Sequence, residues 1–359
     1  MIWKRYFYKE IIKTFCFLLF GFFALYITID IMAHLKDLRA GKTSFSVWVM
    51  YYLCTFSRRL DVLLPFAILI GTIRIMLALQ ARNELVALLV SGVPMKTLLK
   101  PFIVSACAAS LILYANFELF LPRAQPKALA IQENDFGKKQ LVQDDSQVRE
   151  VILKDGTRMF YSDYNTKLRQ FTDVFWIITI DKVYHMKTLT CLKDAPRGLY
   201  VDLITRDASG KMLLEQSFLE VVFKNMEFTQ ESLEQSIQPP RDQSITTLIS
   251  QSMLYGRSMS DRAIDIRSFL IYKLTFPLLC LLATLAPACY CLSFRRDVPH
   301  FMIYLLSLGA LFCFFLLLQV ALVLAKSHIV SPMVALGLPW LLAILFVGKN
   351  FMRVLHGKS

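Results

Sequence analysis

The sequence predicts a polytopic α-helical membrane protein: six transmembrane helices, interrupted midway by an antiparallel β domain outside the cytoplasm. Three observations carry that expectation. The 359 residues are 56% hydrophobic, yet much of that apolar content lies in long, nearly uncharged runs rather than in amphipathic stripes. The middle of the chain is instead polar, with short alternating runs punctuated by turn residues. Basic residues, finally, crowd beside the apolar runs, where they act as orientation signals.

A bilayer core of about 30 Å needs roughly 20 mostly apolar residues per helix. The runs that qualify are Ile11–Ala33, Leu60–Leu79, Thr97–Leu121, Phe269–Phe294, Phe301–Ala325 and the shorter Met333–Val347. The first lacks a small-residue cleavage site and reads as a retained helix rather than a cleaved signal. The aromatic-rich stretch Phe45–Phe56 is too short to span, so it either lies in the interface or continues the second helix. With the N-terminus inside, short cytoplasmic segments hold Lys4, Arg5, Lys9, Lys13, Arg82, Lys96, Lys100, Arg295, Arg296, Lys349, Arg353 and Lys358. The opposite short loops hold Lys36, Arg39, Lys42, Arg58, Arg59 and Lys326. That imbalance, twelve against six, places both termini inside and the long central segment outside.

The central segment carries alternating runs at Val148–Leu153, Arg158–Ser162, Phe171–Ile180, Met186–Leu192, Leu199–Thr205 and Phe218–Phe223. Such spacing indicates an antiparallel sandwich or open barrel. The resulting division is 1–121 for three spans, 122–262 for the β domain and 263–359 for three more spans. Of the eight cysteines, only Cys191 falls in the β domain, so that domain has no internal disulfide partner. The formal charge of +13 is distributed along the membrane flanks, which argues against a nucleic-acid surface.

Several chemical signatures fail. Gly41-Lys42-Thr43 imitates the end of a phosphate-binding loop, but position 36 is Lys rather than Gly and no strand precedes it. The histidines His34, His185, His300, His328 and His356 lack ligand spacing, and no GxSxG is present. The chain is therefore not expected to be an enzyme, to bind a metal or a cofactor, or to hydrolyse ATP itself.

The loop between the second and third spans is richer. Gln80–Pro94 reads QARNELVALLVSGVP: Arg82, Asn83 and Glu84 lead into apolar Leu85, Val86, Leu88 and Leu89, Ser91-Gly92 supplies a stop, and Pro94 suits the next helix start. A short amphipathic helix so placed fits either a plug for a separate ATP-driven subunit or a plain interfacial helix. At the far end of the first span, Lys36 and Arg39 share one helical face, and Asp30, His34 and Asp37 another. Lys36 and Arg39 suit either phosphate recognition or ordinary interfacial anchoring. Arg74, inside the second span, is costly in lipid but close enough to the cytoplasmic end to reach water.

The stretch LLPFAILIGTIRIMLALQARNELVALLVSGVPMKTLLKPF resembles the LptF/LptG (YjgP/YjgQ) family of lipopolysaccharide-export permeases. NFELFLPRAQ (Asn116–Gln125), RMFYSDYN (Arg158–Asn165) and the last three spans continue the likeness in order, and HLKDLRAGKTS (His34–Ser44) is similar to the LptG branch. The resemblance implies the permease half of an ABC-type exporter in a bacterial inner membrane. Such a half pairs with a second six-span permease and a dimeric cytoplasmic ATP-binding subunit, which uses the ATP. It would squeeze lipopolysaccharide or lipooligosaccharide onto a periplasmic bridge of β-jellyrolls, of which the central domain would be one. Carried over by position, Arg82, Asn83, Glu84, Leu85 and Gly92 would contact the ATPase, and Lys36 and Arg39 the substrate. The rival readings are a non-transporting scaffold or signalling protein with a partner-binding β domain, and an ion-driven transporter. The latter should carry acids near a span's midpoint, whereas Asp30 sits at a span's end.

Overall fold

The computed structural model describes residues 2–33, 44–134, 149–153, 155–165, 168, 170–191, 196–207, 210–223, 226, 238–256, 260–292 and 299–355. These form two compact units: one of residues 1–138, 244–248 and 264–359, the other of 139–243 and 249–263.

The first unit is helical. Its elements are α1 (Ile2–Ala33), α2 (Phe45–Ala81), α3 (Glu84–Val90), α4 (Met95–Ala115), a π-helical turn (Asn116–Phe120) and α5 (Leu121–Asn134). After the strands come α6 (Ile245–Tyr255) and α7 (Asp261–Thr275), each divided between the two units, and then α8 (Leu279–Leu292), α9 (His300–Lys326) and α10 (Pro332–Leu355) of the first unit. Among the described residues six stretches are long and apolar enough to cross a membrane, as the sequence leads one to expect. Their limits differ from the apolar runs. Phe45–Phe56 continues the second helix, making α2 37 residues and about 55 Å long, well beyond a bilayer core. The third span likewise runs on through the π turn to Asn134 rather than stopping at Leu121.

These extensions are stable because they pack on one another. Tyr51, Tyr52 and Cys54 of α2 and Ala128 of α5 form a buried cluster, flanked by Phe23, Ile27 and Ile31 of α1. Among the spans the second is the inner one, with 67% of its most apolar window buried, whereas the first has 6%.

Where helices break, side chains satisfy the freed backbone. Between α7 and α8 a 3-10 turn (Phe276–Leu278) contains Pro277, and the carbonyls of Leu274 and Pro277 accept hydrogen bonds from Tyr114 Oη (2.5 Å) and Ser110 Oγ (2.7 Å) of α4. Within the π turn, Asn116 is buried and exchanges two hydrogen bonds with Ser57: Ser57 Oγ donates to Asn116 Oδ1 (2.7 Å), and Asn116 Nδ2 donates to the Ser57 carbonyl (2.8 Å). Two residues on, the Glu118 carboxylate accepts from the backbone N–H groups of Ile245 (3.0 Å) and Thr246 (3.2 Å), capping the start of α6 with negative charge.

The second unit is built on one antiparallel sheet of six strands: β1 (Arg149–Ile152), β2 (Arg158–Asn165), β3 (Gln170–Thr179), β4 (Lys182–Cys191), β5 (Pro196–Arg206) and β6 (Met212–Val222). Each pairs with its neighbours in sequence, giving a meander. A crease crosses the sheet through Ser162, Asp173, Lys187, Tyr200 and Leu219. These residues fall in one row of the register, and the pairing lapses there. Asp173 and Tyr200 take left-handed backbone angles (φ 53° and 51°). Across the crease the inward face is carried by residues three apart rather than two: Tyr161 and Tyr164, Phe171 and Val174, Met186 and Leu189, Gly198 and Val201. The sheet thereby closes on itself, and Phe223 from one half meets Trp176 and Tyr184 of the other at 5.3 and 5.4 Å. The described strands thus form one creased antiparallel meander, with no Greek-key crossover among them.

Gly198 sits at the closest point of this core. A Cβ there would stand 2.8 Å from Met186 Sδ and 2.9 Å from both Phe223 and Val201 side-chain carbons. Gly198→Ala should therefore destabilise the β domain by about 1–3 kcal/mol, the usual cost of overpacking. Denaturant unfolding of the full chain with Trp3, Trp48 and Trp340 replaced by Phe, so that fluorescence reports Trp176, measures it; an unchanged midpoint would contradict the packing described.

Candidate functional site

The feature that stands apart from the bundle is the turn of chain from α2 through α3 to α4. At the end of α2, Arg82 N–H still donates to the Ala78 carbonyl (3.1 Å) and Asn83 N–H to that of Gln80 (2.9 Å). Asn83 then adopts a left-handed conformation (φ 56°, ψ 12°) and its carbonyl accepts from Ala87 N–H (3.0 Å), opening α3. One residue thus ends one helix and starts the next. Asparagine is among the few non-glycine types that tolerate this.

The other end of α3 is closed by a Schellman motif. Gly92 N–H donates to the Leu89 carbonyl and Val93 N–H to that of Leu88, at 3.0 and 3.1 Å, with Gly92 at φ +84°. Open space surrounds the position of a Gly92 Cβ, so it is the backbone angle that calls for glycine. Met95 follows directly after Pro94 as the first residue of α4.

Seven residues between two fixed corners have one face in and one face out. Leu85 is buried, and with Leu88 it lines a small apolar recess formed by Phe7 of α1, Met76 and Leu79 of α2, and Leu98, Leu99 and Phe102 of α4. The outward face presents Arg82, Asn83, Val86 and Val90, the last 83% exposed. Glu84 is partly exposed and lies 3.8 Å from Arg82 Nη1, which also donates a hydrogen bond to Tyr6 Oη (3.1 Å). An exposed pair at that distance contributes little to stability, leaving the Glu84 carboxylate available to other partners.

The five positions singled out from the loop are therefore brought together, but not in equal roles. Arg82, Asn83 and Glu84 face out at the first corner, Leu85 turns inward, and Gly92 forms the second corner. Lys36 and Arg39 lie outside the described residues, as does the rest of 34–43. Asp30, just before them, accepts a hydrogen bond from Tyr52 Oη (3.2 Å). Near it stand two residues read from sequence only as orientation charges. Arg59 is exposed, with its guanidinium 5.0 Å from the centre of the Tyr26 ring, and Arg58 has a buried Nε without a hydrogen-bond partner among the described residues. Their adjacency at the boundary of the apolar stretch was the available signal. Arg74 has an exposed side chain. Among the described residues no group of three His, Cys, Asp or Glu side chains is placed to hold a metal ion.

Residues 5–353 match the family described as lipopolysaccharide export system permease LptF/LptG. The chain belongs to the LptF/LptG family. It is thus a multi-pass inner-membrane permease of lipopolysaccharide export, of a family that works in a transport complex with other Lpt components. The match covers nearly the whole chain, β domain included, and its description embraces both branches. Among individually curated proteins, no relative matches.

The corner geometry has a direct consequence. Asn83→Gly should leave stability unchanged, whereas Asn83→Val should cost about 1–2 kcal/mol, the penalty for a bulky left-handed residue. Thermal unfolding in detergent reads the difference, and equal melting of the two variants would contradict the assignment of Asn83 as the corner.

Proposed function

We propose that this LptF/LptG-family chain is the permease half of an ABC-type exporter and that α3 is its coupling helix. In this reading both termini and α3 are cytoplasmic and the β domain is periplasmic, an orientation supported by the distribution of basic residues. The observation that carries the proposal is the geometry of α3. It is a short helix held at both corners, seated on three spans through Leu85 and Leu88, and offering Arg82, Glu84, Val86 and Val90 outward. A carboxylate beside two exposed valines one helical turn apart is suited to a partner with a basic rim around an apolar notch. That partner would be a dimeric ATP-binding subunit, which supplies the hydrolysis.

Movement of α3 would rearrange the first and fifth spans, α1 and α9, around a lipid-filled cavity shared with a second six-span permease. Both spans bury little of their apolar windows (6% and 28%), which supports their facing lipid or a partner rather than the interior. Lys36 and Arg39 would meet the phosphates of lipopolysaccharide or lipooligosaccharide at the periplasmic boundary. For onward transfer, β6 is an edge strand with Met212, Leu213, Leu214, Phe218, Leu219 and Val222 exposed, a surface suited to strand addition by the next jellyroll of the bridge.

Glu84→Lys should abolish co-purification of the ATP-binding subunit, and with it export of lipopolysaccharide to the cell surface. Photo-crosslinkers at Lys36 and Arg39 should in turn capture the lipid. Retention of both the ATPase and export by Glu84→Lys would contradict the coupling role, and labelling confined to other sites would contradict the substrate role.

A further inference from the structure

α1 touches the rest of the bundle along a narrow seam. Phe7, Ile11 and Thr14 are 3%, 8% and 5% exposed, and Leu18 continues the same helical stripe at three- and four-residue spacing. Where the seam reaches α2 it meets Gly71: a Cβ there would be in ordinary van der Waals contact with Leu18 (3.7 Å) and Thr14 (3.8 Å). Ile12, Phe17, Phe20, Leu25 and Ile29 of α1 are all more than half exposed. At one end of this seam, Phe7 enters the recess under α3 beside Leu85 and Leu88, and Tyr6 Oη accepts from Arg82. At the other end Phe23, Ile27 and Ile31 pack on the cluster of Tyr51, Tyr52, Cys54 and Ala128, joined by Tyr52 Oη on Asp30 and Arg59 over Tyr26.

We propose that α1 is a lever: Phe7 is the positioning residue that couples it to α3, and Gly71, against Thr14 and Leu18, is its fulcrum. The proposal rests on the coupling role of α3 and specifies how that helix drives the first span. From Phe7 to the fulcrum the arm is roughly 10–16 Å, and from the fulcrum to Ala33 roughly 22–28 Å, at about 1.5 Å per residue. A displacement at Phe7 is thereby roughly doubled at the far end. Phe7 is suited to the task because a buried aromatic ring wedged between close-packed neighbours must move with them. Phe7 lies in the recess with the inward-facing Leu85 and Leu88, and Gly71 lies against α1, so altering them should leave ATPase docking intact while changing what docking achieves.

The test uses the intact complex reconstituted in vesicles containing lipopolysaccharide, with ATP hydrolysis and lipid extraction measured together. Phe7→Ala should keep the ATPase bound and hydrolysing within about twofold, while lipid extracted per ATP falls about tenfold, within the usual range of coupling between sites. Phe7→Leu, which keeps an apolar wedge, should restore most of the ratio. Gly71→Leu leaves Phe7 in place but fills the fulcrum, and should lower the ratio similarly. Normal extraction by Phe7→Ala or by Gly71→Leu overturns the lever, as does loss of ATPase binding in Phe7→Ala. A wild-type complex that hydrolyses ATP without extracting any lipid overturns the exporter reading and the lever with it.

Discussion

Backbone groups that leave the helical ladder inside a membrane must find partners within the protein, and that requirement shapes the helical unit. Several helix breaks among the described residues are answered by a named side chain or a capping turn. Asn83 and the Gly92 Schellman motif close the two corners of α3. Ser110 and Tyr114 serve carbonyls on either side of the Pro277 break, and Asn116 ties the π turn to Ser57. Glu118 caps α6. Apolar packing alone would hold the helices in contact; these polar ties fix their registers. NFELF, recognisable as a string of letters, proves to be a junction. Asn116 faces α2, Phe117 contacts Phe276, and Glu118 reaches the chain returning from the β domain.

The same constraint separates parts that hold still from parts free to move. α2, the third span and α7–α8 are well buried and cross-tied, whereas α1 is not. α3 stands at the meeting of the two classes, seated on α2 and α4 but also in contact with Phe7 of α1. A permease driven from outside needs such an arrangement: a rigid seat for the incoming force and a lightly held element to receive it.

The six spans were legible because an uncharged apolar run of about 20 residues has few other stable uses. Helix ends were less so. Phe45–Phe56 is too short to span and too aromatic for a plain loop, and only its packing partners on α1 and α5 show that it extends α2. The strands were located by alternation, but often only on one side of the crease. Arg158–Ser162 stops at it, and Met186–Leu192, Leu199–Thr205 and Phe218–Phe223 begin beside it. Where the inward face slips from a period of two to a step of three, alternation loses phase, so a creased strand reads as half a strand. In the loop at Gln80–Pro94, composition marked a helix but did not separate Leu85, turned inward, from Val86 and Val90, turned outward. That distinction depends on where Asn83 sets the corner.

The central claim is that the outward face of α3 docks on an ATP-hydrolysing subunit. The most direct measurement places a photo-crosslinker at Val90, the most exposed apolar residue of that helix. The account predicts a single protein adduct whose captured partner binds ATP. Adducts with phospholipid alone would show that α3 lies flat in the interface and would contradict it.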